Sequence, residues 1–338
     1  MISMDLNRTH YVEDVNVDMK DQEVILGGWV EDLRKMGKMT FLTLRDVTGI
    51  TQIILTDDVM KSNDDITRQS VVRVTGKIQD TKARDFECEI KASEISVLAK
   101  AVHPLPIDPI GRLESHIDNR LNSRALDMRN QKTASIFKIR HHVLASLRKT
   151  LSEKKFMEIT TPKIIGSASE GGANLFSLDY FGKQAYLAQS PQLYKEQMTI
   201  GLERVFEIAS FYRAEKSHTG RHLSEFTSVD IEAAFMDYTD VMNVLEDLVL
   251  NTFKYVSENC KEEQEIIGNK ITIPNSPFKK ITYSQALEEL NSKDAKLEFG
   301  DDLLDSHLRV IGENHPGFYF LTDWPIKLKP FYIMENQD

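Results

Sequence analysis

Val205-Phe206-Glu207-Ile208-Ala209-Ser210-Phe211-Tyr212-Arg213-Ala214-Glu215 is followed by the polar run Lys216-Ser217-His218-Thr219-Gly220-Arg221-His222. The chain then returns through Glu225-Phe226-Thr227-Ser228-Val229-Asp230-Ile231-Glu232. Two runs rich in β-branched and aromatic residues, joined by a polar loop, predict a pair of antiparallel strands. Arg213 and Glu215 stand two apart at the end of the first run, a spacing that on a strand turns both to one side. A guanidinium pairs with phosphate oxygens through two parallel bonds, and a loop holding two histidines and an arginine suits a polyphosphate tail. Asp230 and Glu232, also two apart, give one pocket a negative lining fit for a substrate ammonium or a divalent cation. Alternating charge is also what a half-exposed surface hairpin carries, so this chemistry alone leaves both readings open.

Upstream lie two further segments with chemical content. Ser167-Ala168-Ser169-Glu170-Gly171-Gly172-Ala173-Asn174-Leu175-Phe176 sets two glycines beside a glutamate, a composition for a loop that closes over a ligand or for an ordinary turn. Ala188-Gln189-Ser190-Pro191-Gln192-Leu193-Tyr194-Lys195 carries a lysine suited to a small buried carboxylate, although most lysines are solvated. Before these, Ile136, Ile139, Val143, Leu144, Leu147 and Leu151 recur at helical spacing from Thr133 to about Lys155. A second helix is predicted over Thr239–Ser257, and strands over Ala185–Ala188, Val205–Arg213 and Thr227–Phe235. Strands joined by turns and not by regular crossover helices favour an antiparallel sheet.

The N-terminal part has another texture. Apolar runs at Glu23–Val30, Thr40–Arg45, Ile50–Leu55, Ser70–Lys77 and Phe86–Leu98, with Asp46-Val47-Thr48-Gly49 as a turn, predict five short strands and a small barrel of OB type. Pro104, Pro106 and Pro109 then open a stretch read as a linker over 103–132. The predicted organisation is a barrel domain over 1–102, that linker, and an α+β domain over 133–338.

At 338 residues, two domains match the usual size of about 100–200 residues each. The formal charge of -10 argues against a protein that merely coats nucleic acid, since phosphate neutralisation favours basic chains; it leaves room for a local basic face. Cys88 and Cys260 are far apart, outside any CxxC pattern, and are read as inert packing residues in a reducing cytoplasm. No apolar run is long enough for a bilayer, and the opening residues lack the apolar core of a signal peptide, so no membrane association is expected.

The strings FYRAE and RHLSEFTSVDIE resemble motif 2 of the class II aminoacyl-tRNA synthetases. The resemblance implies that Arg213 clamps the ATP α-phosphate, that adenine stacks on Phe226, that Glu215 lies near the adenine amino group and the tRNA end, and that His222, with Arg221, reaches the terminal phosphate. Arg213 would also steady charge as the amino-acid carboxylate attacks phosphorus. EGGA with Glu170 resembles the loop that closes over the amino acid in aspartate and asparagine enzymes. QSPQLYK resembles the aspartate branch, where Lys195 would meet the substrate side-chain carboxylate while Ser190, Gln192 and Asp230 hold its ammonium. Gly28-Trp29-Val30, Arg34, Phe41–Asp46 and Gly49–Gln52 resemble the anticodon-binding barrel of class IIb. Phe41 matches the aromatic on which the central anticodon base stacks, and Arg34 and Gln52 match base-contacting residues; barrel core is the plain alternative for Phe41. Glu31 and the Lys82–Asp85 loop are the candidates for reading the third base.

The long helix resembles motif 1, which implies a homodimer, and the same apolar stripe would also serve packing within one subunit. The partners implied are aspartate, ATP with Mg2+, and tRNA(Asp), with tRNA(Asn) left open. The absence of a large insertion resembles the archaeal and eukaryotic-cytosolic branch. A glycine-rich motif 3, which holds a further ATP-binding arginine and the magnesium ligands in that family, does not follow Lys329-Pro330-Phe331-Tyr332, so the chain is expected to be a truncation and its metal ligands stay unnamed. An asparagine–tRNA ligase is the nearest rival. A non-catalytic RNA-binding paralogue is the alternative if the chain is complete.

Overall fold

Side chains that alternate between core and solvent build the first unit. The computed structural model describes residues 7–61, 66–167, 175–215 and 223–335. The chain divides into two units, Met1–Asn130 and Gln131–Asp338. In the first, β1 (Glu23–Met36), β2 (Met39–Arg45), β3 (Ile50–Thr56), β4 (Val71–Asp80) and β5 (Cys88–Ala99) close into a barrel of order β1-β2-β3-β5-β4. Val24, Leu26 and Val30 of β1, Leu42 and Leu44 of β2, and Val72 and Val74 of β4 point inward and lose nearly all solvent contact. Each such side chain contributes about 1.5–3 kcal/mol of burial. Gly76 sits where β4 slips register against β5, and a Cβ there would lie 2.6 Å from both Ile90 Cγ2 and the Lys91 carbonyl oxygen, so the two strands approach too closely for any side chain.

The first strand is longer than the alternation predicted, ending at Met36 and not Val30. The register shifts between Val30 and Asp32, which leaves Glu31 as the extra residue of a bulge; beyond it Asp32 faces Thr43 and Arg34 faces Phe41. A bulge breaks the period of two, so a paired polar ribbon reads as loop. Residues 103–130 cluster with this unit. They contain two short helices, Ile117–Asn122 and Arg124–Asp127, and Arg112 and Arg129 bond to Asp32 and Gln69.

The second unit starts with α1 (Gln131–Glu153). β6 (Met157–Glu158), β7 (Ile164–Ile165), β8 (Ser177–Tyr180), β9 (Lys183–Leu187), α2 (Gln192–Leu202), β10 (Arg204–Tyr212), β11 (Glu225–Ala233) and α3 (Tyr238–Asn259) follow in chain order. β10 pairs antiparallel with β11 and parallel with β6, while β7-β9-β8 form an antiparallel sheet. One face of β10–β11, carrying Phe206, Ile208 and Ile231, packs on Leu147 and Leu151 of α1 and Val244 and Leu248 of α3. The other face carries Phe211, Ala209 and Phe226 and receives Ile165, Ala188 and Tyr194. Asp237 caps α3 by accepting from Thr239 N and Asp240 N.

The remainder builds a small layer of its own. β12 (Lys279–Thr282) and β13 (Tyr319–Thr322) pair in parallel, with helices over Tyr283–Asn291 and Asp305–Asn314 supplying the crossover that a parallel pair needs. Tyr283, Ala286 and Ile311 form its buried centre. Among the described residues, no helix is long and apolar enough to cross a membrane.

Candidate functional site

Residues opposite one another in an antiparallel ladder share a face. Register places Glu207 opposite Asp230, Ala209 opposite Ser228 and Phe211 opposite Phe226, so one side of the β10–β11 hairpin gathers carboxylates at one end and aromatic rings at the other. β10 stops at Tyr212, one residue short of Arg213, which corrects the placement of Arg213 and Glu215 on a strand end. Arg213 N still donates to Ser224 O at 3.0 Å, and its guanidinium lies 5.4 Å from the centre of the Phe226 ring. That distance gives a cation–π attraction of about 0.5–2 kcal/mol and fixes a cation beside an aromatic platform.

At the carboxylate end, α2 lays Lys195 into the sheet, where only 9% of the residue is exposed. Its Nζ donates to Ile231 O at 3.2 Å and stands 3.5 Å from both Asp230 Oδ1 and Glu232 Oε2. Ser228 Oγ donates to the other oxygen of Asp230. Gln192 Nε2 donates to Glu196 at 2.7 Å and reaches Glu232 at 3.5 Å, and Gln192 N donates to Ser190 Oγ at 3.3 Å. Ser190, Gln192, Lys195 and Asp230, expected together from sequence, therefore form one connected group at the start of α2. The expected residues Glu170, Arg221 and His222 lie outside the described residues.

Sequence reasoning missed the neighbour of this group. Glu207 is 2% exposed, and its carboxylate accepts from Thr161 N at 2.8 Å, Thr161 Oγ1 at 2.7 Å and Lys163 Nζ at 2.7 Å. Lys163 Nζ also rests 4.3 Å from the Phe211 ring centre. The available signal was period two: Val205, Glu207, Ala209 and Phe211 alternate onto one face. A glutamate among apolar residues on that face requires a buried donor set.

The barrel carries a second candidate face. Arg34 opposite Phe41, Thr43 opposite Gln52, and Gln52 opposite Glu89 bring these side chains to one outer surface. Phe41 is half-buried there and the Arg34 side chain is 76% exposed, an arrangement open to a flat ring and an anion. Gln52 Nε2 donates to Glu89 at 2.7 Å, and Glu89 also accepts from Gln79 and Thr81 at 2.9 Å each. A carboxylate only accepts, so this contact fixes which end of the Gln52 amide faces outward. Glu31 sits at the bulge with its carboxylate 2.8 Å from Arg45 Nε.

Burial pushes the Cys88 and Cys260 thiols up, with nearby glutamates adding to it, so neither is a ready nucleophile. Among the described residues, no group of three or more His, Cys, Asp or Glu side chains could hold a metal ion.

A cation over an aromatic platform, beside a buried lysine among carboxylates, has the chemistry to suit a nucleotide and a charged small molecule. Residues 116–338 match the family described as tRNA synthetases class II (D, K and N), and residues 24–98 match the OB-fold nucleic acid binding domain. The chain belongs to the class II tRNA synthetases of the D, K and N group and is an enzyme of that family.

Within it, several similar relatives are aspartate–tRNA(Asp/Asn) ligases. Such a ligase from Methanothermobacter thermautotrophicus is 42% identical over 344 residues, covering 100% of this chain and 79% of the relative. One from Sulfurisphaera tokodaii is 43% identical over 334 residues, covering 98% and 78%. Among solved structures, asparaginyl-tRNA synthetase from Pyrococcus horikoshii complexed with asparaginyl-adenylate matches with a TM-score of 0.88 at 31% identity, covering 98% of this chain and 78% of that one. Aspartyl-tRNA synthetase from Entamoeba histolytica matches with a TM-score of 0.80 at 26% identity, covering 96% and 72%.

Proposed function

We propose that this chain activates aspartate with ATP and transfers the aspartyl group to the 3′ end of tRNA(Asp). An oxygen of the substrate α-carboxylate attacks the α-phosphorus, the bond to the β-phosphate oxygen breaks, and pyrophosphate leaves. A terminal ribose hydroxyl of the tRNA then attacks the acyl carbon and AMP leaves. Arg213 holds the α-phosphate and offsets the charge that grows on it, Phe226 stacks the adenine, and Glu215 takes the adenine amino group. Ser190, Gln192 and Asp230 bind the ammonium, and Lys195 binds the side-chain carboxylate. In the loops, Glu170 covers the amino acid, while Arg221 and His222 reach the terminal phosphate. The divalent metal that such ligases use with ATP supplies charge neutralisation on the phosphates; the described residues offer no cluster for it, and no step here runs through it.

On the barrel, Phe41 stacks the central anticodon base, Arg34 and Gln52 bond base edges, and Glu31 lies near the third base. tRNA(Asn) is a second acceptor in this reading, as for the aspartate–tRNA(Asp/Asn) ligases of Methanothermobacter and Sulfurisphaera. The apolar residues Ile136 and Phe137 on α1, 56% and 41% exposed, support a homodimer through that helix. The cytoplasm is the compartment where these partners meet.

The observation that carries the aspartate assignment is Lys195, an ammonium held inside a carboxylate pocket, which gains from a substrate carboxylate and little from an amide. Pyrophosphate exchange into ATP, run separately with aspartate and asparagine, tests it. Exchange with aspartate alone is the expected result. Exchange with asparagine alone would make the chain an asparagine ligase, and none with either would favour a non-catalytic RNA-binding role.

A further inference from the structure

Gln189 stands in the middle of the segment that links the two ends of the site, and none of the roles above uses it. It is 1% exposed, and among the described residues neither Nε2 nor Oε1 of its carboxamide has a hydrogen-bond partner. Its backbone is pinned on both flanks. Ala188 N donates to Lys163 O at 2.9 Å, and Ala188 O accepts from Tyr212 N at 2.9 Å. On the other side Pro191 O accepts from Tyr194 N at 3.0 Å and from Lys195 N at 2.9 Å.

A buried amide with donors and acceptor all unmet is costly, and a methionine of similar length would fill the same space without that cost. Departures of this kind from polar satisfaction collect where a ligand completes the bonding. The placement supports that origin. Ala188 is tied to Tyr212, the residue before Arg213, and the helix that begins three residues after Gln189 carries Lys195. Gln189 thus directly follows the residue bonded to the strand that leads to Arg213 and directly precedes the segment that leads into the Lys195 helix.

We propose that Gln189 is a further substrate-binding residue, its carboxamide N–H donating to the carboxylate of the amino-acid substrate. This rests on the amino-acid activation argued above. A carboxamide offers donors without charge, so it orients the carboxylate and leaves it nucleophilic toward phosphorus.

The test is Gln189→Met in the aspartate-dependent pyrophosphate exchange assay on the whole chain, with melting temperature measured alongside. Expected are a KM for aspartate raised at least tenfold, a KM for ATP within twofold of the unaltered chain, and a melting temperature no lower. An aspartate KM within twofold would overturn the proposal, as would both KM values rising together with a lower melting temperature. If Gln189→Met does not fold, Gln189→Asn, which keeps the amide but draws it back by one methylene, is read by the same two KM values. Absence of exchange in the unaltered chain would instead sink the activation reading, and this proposal with it.

Discussion

Replacing Lys195 by methionine removes one positive charge from the carboxylate pocket while keeping most of the side-chain volume. Its Nζ stands 3.5 Å from both Asp230 and Glu232, and at an effective dielectric near 20 each pair is worth about 4–5 kcal/mol before desolvation is subtracted. Without the lysine, a substrate carboxylate entering this pocket would meet Asp230 and Glu232 with no ammonium between them. It would lose one charge-assisted hydrogen bond, about 1.5–3 kcal/mol, and gain repulsion of about 1 kcal/mol. A loss of about 2.5–4 kcal/mol corresponds to roughly 70- to 900-fold in kcat/KM for aspartate. Asparagine carries no charge there, so the substitution takes nothing from any exchange with it. The assay is pyrophosphate exchange with each amino acid, using circular dichroism to confirm that Lys195→Met folds. A fall of less than fivefold for aspartate, with the fold intact, would refute the claim that this ammonium selects the substrate.

The barrel and the rest of the chain supply further checks. Phe41→Ala should weaken tRNA(Asp) binding about 5- to 150-fold, the equivalent of about 1–3 kcal/mol of stacking, while pyrophosphate exchange stays unchanged; filter binding reads the first and exchange the second. Glu207→Gln should cost about 2–4 kcal/mol in urea unfolding, because Lys163 and two Thr161 donors lose their shared carboxylate. Burial raises the Glu289 carboxyl, but bonds from His315 and Asn314 outweigh it and hold the group below its usual range. A depressed carboxyl stabilises the fold above the unfolded-state value near pH 4.3 and loses that contribution as pH falls through the folded value. Glu289→Gln should therefore flatten the acid side of a melting-temperature profile below about pH 5, and an unchanged slope would count against the His315 contact.

The barrel was legible because its core obeys a period of two that any inward-facing strand imposes, as Val24, Leu26, Leu42 and Leu44 do. The hairpin was legible for the same reason, and Lys195 and Phe226 stood out by local motif. What escaped was whatever depends on partners distant in sequence or on a broken period. The bulge at Glu31 hid six residues of β1, and the end of β10 at Tyr212 put Arg213 just beyond the strand. The bonds from Thr161 and Lys163 to Glu207 span more than forty positions, and no local pattern announces them. Gln189 carries no local signal that sets it apart from a surface glutamine; its burial does.

The two carboxylates facing each other across the β10–β11 ladder show how one sheet face divides structural from exchangeable charge. Like charges directly opposite are destabilising, so each needs a separate compensation. Glu207 has it nearly completely: three donors at 2.7–2.8 Å engage both carboxylate oxygens, and 2% exposure leaves little access for a newcomer. Asp230 has it loosely, since Lys195 stands 3.5 Å away and is shared with Glu232, and the two acidic side chains keep 19% and 31% of their surface. A short, saturated pair holds the sheet to the Thr161–Lys163 segment and has nothing to release. The long, shared pair can give up part of its lysine to an incoming carboxylate and part of its aspartate to an incoming ammonium, with few bonds lost. A zwitterion with an acidic side chain offers both groups at once, so in the proposed reaction the looser pair, and not the better-bonded one, receives the substrate.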